Sequence, residues 1–513
     1  MELNTALQKL KEYEKRSFAL YHASGLMYYD GATTAPKGSA GVRAITLGEL
    51  SRMSYELTTA KESIEMLECL IAHSDELDPV TRRKASELFR DYERTHKIPI
   101  DEFVAYQQLC SEADSVWHDA KAANDFSMFE PYLQKMFDST KRIALYMEPG
   151  KHPYETMLDT YERGLTIAAC DEFFDTLKKR LVPLMHRVAE RGDRVNDAPL
   201  RQNFPIAKQR ELSDYLMDVM GIDRNHCILG ETEHPFTTDF SKYDVRITTH
   251  YYEDKFASSM YSIIHEGGHA LYELHTGDEL ACSNLGRGVS MAIHESQSRF
   301  YENIIGRSRE FCGLIFPFVK KEFCPLLNDV SAEEFYRMIN KSSPSLIRTE
   351  ADELTYCLHI MIRYRLERAM FDGSITARDL PHEWNRLYKE YLGIDVPSDK
   401  YGVLQDSHWA NGNIGYFPSY AIGSAYGAQY YKAMNRDFDV KAAISAGELG
   451  KINSWLQDKI WKYGCMKDPV ALFESVCVCF VWMLPVVHRF WSVHNPWMAS
   501  RFLLWWKTLQ PDM

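Results

Sequence analysis

The spacing of hydrophobic and polar residues predicts a chain built mainly of α-helices. Apolar side chains recur three and four positions apart among charged residues over most of the sequence, and Gly, Pro, Asp and Ser interrupt the pattern. A glycine-containing loop is expected at 25–41. The expected helices are 6–23, 42–69, 79–95, 101–123, 131–146, 168–191, 207–220, 298–307, 310–324, 331–340, 346–370, 377–391, 420–434 and 440–463.

Two stretches depart from this helical pattern. Residues 227–252 are rich in β-branched and aromatic side chains, which predicts a small sheet of two or three strands. Such a sheet could bind an extended peptide at its edge or could simply stabilise the fold. Residues 393–419 form a long irregular segment whose many aromatic side chains favour an ordered loop.

Directly after the predicted sheet, His265-Glu266-Gly267-Gly268-His269 matches the H-E-x-x-H pattern. On a helix the two histidines project from one face, one turn apart, so that both imidazoles can bind one Zn²⁺. Glu266 can reach a water on the metal without being a ligand, as a general base must. The alternative is that two histidines lie one turn apart by chance and bind nothing.

A zinc site needs a third protein ligand, and two residues compete for this role. His275 lies ten positions after His265, as in the metzincin pattern, but Tyr272 replaces the glycine that would turn the chain back. Glu295 follows several glycines and begins a new helical pattern, so it could enter from a second, antiparallel helix. We prefer Glu295, because a His₂Glu site leaves one position open for water, as in catalytic zinc sites.

Composition and charge narrow the class of protein. The net charge of −13 without a basic block argues against nucleic acid or an anionic membrane as partner. The 11 cysteines show no disulfide or C-x-x-C spacing, which favours reduced thiols. No signal-peptide pattern opens the sequence, and the longest apolar run contains Pro485 and is too short to span a bilayer. We predict a cytoplasmic protein.

No repeat or linker divides the chain, so residues 1–476 are expected to form one helical domain with two lobes around a cleft. Residues 477–513 differ in composition, because they contain five of the ten tryptophans and only one acidic residue, Asp512. This tail is either a membrane-surface or partner-binding segment, or the product of a frame change in the coding sequence. The second explanation is preferred.

Several short motifs occur together and in order along the chain. They are His234-Pro235-Phe236, the D-x-R-x-T run 244–248, H-E-x-x-H, His294-Glu295-Ser296-Gln297, Ile347-Arg348 with Ala351-Asp352-Glu353, 402–409 (GVLQDSHW) and 415–420 (GYFPSY). In this set the chain resembles the carboxypeptidase Taq family of zinc metallocarboxypeptidases. The resemblance covers about residues 7–476, with Tyr29 where the family usually has tryptophan.

The resemblance implies a two-lobed helical fold with a deep groove, a homodimer, and removal of single residues from the C-terminus of peptides. It implies His265, His269 and Glu295 as zinc ligands and Glu266 as catalytic base. Cobalt is an alternative to zinc, since some family members are active with it.

The matching motifs also suggest residues that bind substrate. Arg348, or as second choice Arg246, could bind the terminal carboxylate through its planar guanidinium. His408, Tyr416 and Tyr420 are candidates to stabilise the oxyanion of the tetrahedral intermediate, with His408 and Tyr420 assigned to catalysis and Tyr416 to substrate binding.

Two further assignments rest on the same motifs. His234 is a candidate contact to the substrate backbone. Asp352 and Glu353 could hold the metal-binding histidines in the required tautomer, or could form a helix-face salt bridge.

The predicted function is hydrolysis of C-terminal peptide bonds by a metal-activated water. Two rivals stay open. A dipeptidyl carboxypeptidase or oligopeptidase would share the ligand set but release different products, and an inactive zinc-binding scaffold would release none.

Overall fold

The computed structural model describes residues 1–191 and 195–477 and confirms a mainly α-helical fold with one small sheet. Of the predicted tail 477–513, only Cys477 is described. The helices up to the sheet are α1 (Leu3–Thr33), α2 (Ala40–Thr59), α3 (Lys61–Ala72), α4 (Pro79–Thr95), α5 (Ile100–Ala123), α6 (Phe126–Met147), α7 (Pro153–Tyr161), α8 (Ile167–Arg191) and α9 (Ile206–Met220).

The strands and the remaining helices follow in order. They are β1 (Cys227–Glu231), β2 (Thr237–Ser241), β3 (Asp244–Thr249), α10 (Phe256–Leu274), α11 (Met291–Arg299), α12 (Arg309–Glu322), α13 (Ala332–Ile339), α14 (Tyr356–Asp372), α15 (Leu380–Leu392), α16 (Phe417–Asp437), α17 (Val440–Ser445), α18 (Leu449–Lys459) and α19 (Pro469–Val476). A π-helical turn, Phe300–Ile305, directly extends α11.

Helix ends agree best with prediction where capping residues define them. Helix α4 occupies the predicted range because the Asp78 carboxylate accepts from the backbone N–H groups of Val80 and Thr81, and Pro79 stands at the first helical position. Helices α5, α8 and α9 each begin one residue before the predicted start and end where expected.

The loop expected at 25–41 is mostly helix, since α1 continues to Thr33. The glycines that suggested a break are positions of close packing. A Cβ on Gly25 would lie 2.8 Å from the ring of Phe240, and one on Gly31 would lie 2.6 Å from Nε of Arg43. In α1 the absence of a side chain therefore admits neighbouring groups instead of ending the helix.

Three predicted helices are interrupted or begin late. The helix expected at 42–69 breaks at Ala60, and the one expected at 440–463 is divided between α17 and α18. The segment 346–370 begins as an irregular stretch with a short 3₁₀ turn, and α14 starts only at Tyr356, because Asp352 accepts from the N–H groups of Leu354 and Thr355 and so favours a turn.

The three strands form one sheet in the order β1-β3-β2. Strand β1 is parallel to β3, with Cys227 opposite Val245, and β2 is antiparallel to β3, with Thr237 opposite Ile247. The sheet packs against α10 through β2 and β3, so β2 lies at the edge of the sheet and beside the H-E-x-x-H helix.

Helix α10 lies inside the larger of two hydrophobic clusters, which extends from Ala113 to Cys477. A smaller cluster is formed by α1, α3 and α4 and the residue Leu77 between them. The division into two lobes stays a prediction. Within the described ranges, no helix is both long and apolar enough to cross a membrane.

Candidate metal centre

Helix α10 brings the two histidines of the H-E-x-x-H motif close to α11. A Cβ on Gly268 would lie 2.7 Å from the backbone oxygen of Gln297 and 2.7 Å from Cα of Ser298, so this glycine allows the two helix backbones to approach closely. This approach places Glu295 of α11 opposite His265 and His269. The third residue of the predicted ligand set therefore arrives from the expected second helix.

The three side chains direct their donor atoms to one point. Oε2 of Glu295 lies 3.8 Å from Nε2 of His265 and 3.5 Å from Nε2 of His269, and one donor atom from each residue lies within 4.8 Å of the others. The second carboxylate oxygen of Glu295 is buried and has no hydrogen-bond partner among the described residues. Two imidazoles and a carboxylate with an unused oxygen fit a His₂Glu metal site.

The charges of the ligand set suit a cation. Burial alone would raise the pKa of Glu295, but His265, His269 and Arg299 lower it overall, so the carboxylate is anionic. Burial lowers the pKa of His269 to about 4, which leaves a neutral imidazole. Burial also acts to lower the pKa of His265, but Glu295 and Glu302 raise it to about 9, so a metal ion would compete with a proton there.

The outer ring nitrogens of both histidines are held by hydrogen bonds. Nδ1 of His265 lies 2.8 Å from Oε2 of Glu302, and Nδ1 of His269 lies 2.6 Å from Nδ1 of His294. These contacts turn both Nε2 atoms towards Glu295. The hypothesis that Asp352 or Glu353 fulfils this role is wrong, because Glu302 and His294 occupy both positions and Asp352 instead binds Ser342.

Glu266 lies beside the three donors but does not belong to them. Its side chain is buried, and Oε2 accepts a 2.6 Å hydrogen bond from Oγ1 of Thr237 on β2. Burial raises the pKa of Glu266 above its usual value, although His265 and Thr237 act against the shift. A carboxylate with an elevated pKa next to a metal site is suited to accept a proton from water.

The ligand set and Glu266 open onto a large cleft of about 1620 Å³. Of the residues predicted to bind substrate or assist catalysis, the cleft is lined by His234, Arg348, His408, Tyr416 and Tyr420. The cleft thus brings together five of the predicted side chains with the metal centre.

Arg348 is fixed within this cleft wall by Asp406. Its Nε and Nη2 atoms lie 3.1 and 2.9 Å from Oδ1 of Asp406, and Nη1 donates to the hydroxyl of Tyr356 at 3.3 Å. Asp406 also accepts a 2.6 Å bond from Nε of Arg363. The remaining donors of Arg348 are held in one orientation, as recognition of a planar carboxylate requires.

His408 and Tyr420 form a pair in the same wall. Nε2 of His408 lies 3.0 Å from the hydroxyl of Tyr420. Burial and the neighbouring Arg348 lower the pKa of His408 to about 3, so its imidazole is neutral. Burial raises the pKa of Tyr420 well above its usual value, so its hydroxyl keeps the proton that an oxyanion would need.

Arg246, the second choice for the carboxylate, lies away from this cleft. Its Nε and Nη2 atoms each lie 2.9 Å from an oxygen of Asp244, and its guanidinium contacts the rings of Tyr29 and Phe240. It lines a separate pocket beside α1. His275 does not line this cleft, and its Nδ1 lies 2.7 Å from the carbonyl oxygen of Leu271.

Comparison with known proteins identifies the family of this chain. The sequence profile of the carboxypeptidase Taq (M32) metallopeptidases matches residues 9–480. The chain belongs to the carboxypeptidase Taq family. It is 40% identical to carboxypeptidase 1 of Bacillus subtilis over 93% of this chain and 95% of the relative. It is 36% identical to thermostable carboxypeptidase 1 of Pyrococcus furiosus over 92% of this chain and 95% of the relative.

Solved structures of carboxypeptidase Taq proteins have the same fold. An M32 carboxypeptidase from Deinococcus radiodurans superposes with a TM-score of 0.90 at 32% identity, covering 95% of this chain and 100% of the other. Metallocarboxypeptidase 1 of Trypanosoma cruzi gives 0.87 at 33% identity, with 93% and 97% covered. The family assignment confirms the predicted function: the chain is a metal-dependent carboxypeptidase that hydrolyses peptides.

Three residues that contact the predicted site had no such role in the sequence prediction: Glu302, Thr237 and His294. Glu302 stands seven positions after Glu295, so helical periodicity would have placed it on the same face. Thr237 is 29 positions from Glu266. Only the docking of β2 on α10 brings these two together, and local sequence contains no signal for it.

Proposed function

We propose that the protein is a zinc carboxypeptidase that removes one residue at a time from the free C-terminus of peptides. His265, His269 and Glu295 hold the metal, and Glu266 is the general base. The observation that supports this proposal most directly is the convergence of three donor atoms beside a fourth, non-ligating carboxylate in one cleft.

A divalent metal in this site would lower the pKa of a bound water and polarise the scissile carbonyl. Glu266 takes a proton from the attacking water and later delivers it to the leaving amine. The hydroxyl of Thr237 holds the Glu266 carboxylate in one orientation during both transfers. Burial of Glu266 keeps its proton affinity high enough for the first transfer.

Other residues that line the cleft bind the substrate. Arg348, oriented by Asp406, binds the terminal carboxylate. The hydroxyl of Tyr420, paired with His408, donates to the oxygen on which negative charge develops. His234 and Tyr416 contact the peptide from positions in the same cleft.

Zinc is the proposed native metal because two imidazoles and one carboxylate form a ligand set that zinc enzymes use, and cobalt is the proposed substitute. Metal analysis of protein purified without added metal distinguishes the two. A homodimer is proposed from the family resemblance, and sedimentation tests it. A cytoplasmic location is supported by the ten cysteines of the described ranges, none of which forms a disulfide.

Product analysis of matched peptides tests the proposed function. One peptide has a free C-terminus, and its control has the same sequence with a C-terminal amide. We expect stepwise release of single amino acids from the free peptide only, and loss of this release with a metal chelator. Release of dipeptides or internal fragments would instead indicate a dipeptidyl carboxypeptidase or an oligopeptidase, and no release by metal-loaded protein would indicate an inactive scaffold.

A further inference from the structure

The two histidines of the metal centre differ in what holds their outer nitrogens. Nδ1 of His265 meets a carboxylate directly, that of Glu302, at 2.8 Å. Nδ1 of His269 meets a second imidazole, that of His294, at 2.6 Å, and Nε2 of His294 lies 2.5 Å from Oε1 of Glu273. Glu273 is therefore linked to His269 through the ring of His294.

We propose that His294 and Glu273 are positioning residues that fix the tautomer of His269 and thereby set how tightly the metal is held. The inference rests on the proposed metal centre. It concerns two residues that lie outside the proposed ligand set and act on the metal through His269.

The hydrogen bonds that link His269, His294 and Glu273 have one consistent direction. Nε2 of His269 points to Glu295, so a neutral His269 that binds metal there must have its proton on Nδ1. This Nδ1–H then donates to Nδ1 of His294, which must be unprotonated. Nε2–H of His294 donates to Glu273, which completes a relay from His269 through His294 to Glu273. Within this relay the proton between the two Nδ1 atoms belongs to His269.

Glu273 selects this tautomer of His294. Its side chain is only 4% exposed, and Oε1 accepts from the backbone N–H of Gly288 at 3.1 Å as well as from His294. A carboxylate is only an acceptor, so the nitrogen of His294 that faces it must be the protonated one. Without this acceptor, the ring proton of His294 can stand on Nδ1, where it would face the Nδ1 proton of His269.

Neighbouring residues define the position of the His294 ring. A Cβ on Gly288 would lie 2.5 Å from Cδ2 of His294 and 2.9 Å from Cε1 of Tyr272, so Gly288 provides the space for the ring. The ring of Tyr272 packs against His294 with centroids 5.2 Å apart. The imidazole is thus held by packing on its faces and by hydrogen bonds at both nitrogens.

Metal affinity is the direct test. Loss of a group that orients a metal-binding histidine typically weakens metal binding about 10–100-fold. We expect His294→Ala and Glu273→Leu to lie in this range, measured as the metal dissociation rate into a chromogenic chelator. His294→Asn should lose less metal affinity than His294→Ala, because the amide oxygen of Asn can accept from Nδ1 of His269 in place of the missing ring.

A matched control separates positioning from general packing. Tyr272→Phe retains the ring beside His294 and removes only the hydroxyl, which accepts from the N–H of Val289 at 3.3 Å. We expect its metal dissociation rate and its cobalt(II) visible spectrum to be unchanged, whereas His294→Ala shifts the spectrum. The melting temperature of each metal-free variant reports any structural damage independently of the metal.

The outcomes distinguish the relay from the metal centre itself. If His294→Ala and Glu273→Leu retain the normal dissociation rate and spectrum while His269→Ala loses the metal, the relay is wrong and the metal centre stands. If His269→Ala also retains the metal, the proposed ligand set fails. If His294→Asn weakens metal binding as much as His294→Ala, the acceptor at Nδ1 is not what matters, and the inference is overturned.

Discussion

Gly423 on α16 offers a way to move a proposed metal ligand without replacing it. A Cβ at this position would lie 2.8 Å from Cβ of Glu295, 2.9 Å from its Cγ and 3.0 Å from the carbonyl oxygen of Ala292. These atoms belong to the backbone of α11 or to the base of the Glu295 side chain. A rotation of the outer carboxylate therefore cannot relieve the contact.

The size of the disturbance follows from these distances. Restoring an ordinary contact of 3.4 Å from 2.8 Å requires α11 and α16 to separate by about 0.6 Å. Metal–ligand distances in protein sites fall within about 0.2 Å of their usual values. Overpacking of this kind costs about 1–3 kcal/mol of stability. Gly423→Ala should therefore destabilise the protein by that amount and weaken metal binding by about ten-fold or more.

Denaturant unfolding and chelator competition measure the two effects. Gly313→Ala is the matched control, since Gly313 lies within α12 and a Cβ there would meet nothing within 4 Å. This control should gain about 0.5–1 kcal/mol through lower backbone entropy of the unfolded chain. Normal metal affinity in Gly423→Ala would refute the claim that contact with α16 positions Glu295.

Three further substitutions test separate parts of the site and fold. Thr237→Val removes the hydroxyl that binds Glu266 and should lower kcat about ten-fold or more at unchanged KM and metal content, with recovery in Thr237→Ser. Arg348→Lys should lower kcat/KM for free C-terminal peptides by at least about 30-fold, because a charged hydrogen-bond pair is lost. Burial raises the pKa of Glu162 from 4.5 to about 7, so the contribution of Glu162 to stability is greatest below pH 4.5 and falls by about 3 kcal/mol as pH rises from 4.5 through 7. Urea unfolding of Glu162→Gln should lack this part of the pH dependence.

Each of these three predictions has a result that would contradict it. A Thr237→Ser variant as impaired as Thr237→Val would show that the hydroxyl is not the cause. Unaltered kcat/KM in Arg348→Lys would show that another residue binds the terminal carboxylate of the peptide. If the stability difference between wild type and Glu162→Gln were constant from pH 5 to pH 8, the buried Glu162 would not be the titrating group.

The sequence predicts that His265, His269 and Glu295 come together, because its signals are local. Helical spacing places His265 and His269 on one face, and the resumed helical pattern around Glu295 indicates a second helix. Arg246 illustrates the limit of a motif match, because the match does not show which pocket the side chain lines. Asp244 and Arg246 stand two positions apart in a strand and form a salt bridge, and Arg246 lines the separate pocket beside α1.

Tertiary contacts explain what the sequence could not predict. Gly25 and Gly31 are typical of a turn in the sequence. In the fold they lie within α1 and allow Phe240 and Arg43 to pack closely against it, a contact that the sequence does not show. Likewise, His294 matches a family motif, yet its contact with His269 depends on how closely α10 and α11 approach. Local periodicity identifies which residues share a face of a helix or strand. Which other element packs against that face depends on the whole fold.

Glu266→Gln separates the proposed catalytic base from the proposed metal ligands, because Glu266 is the base and not a ligand. Metal content and single-residue release from a free C-terminal peptide are measured on the same sample. We expect one metal per chain, as in wild type, with turnover abolished. Near-normal release would contradict the role of Glu266, and loss of the metal would show that Glu266 belongs to the ligand set.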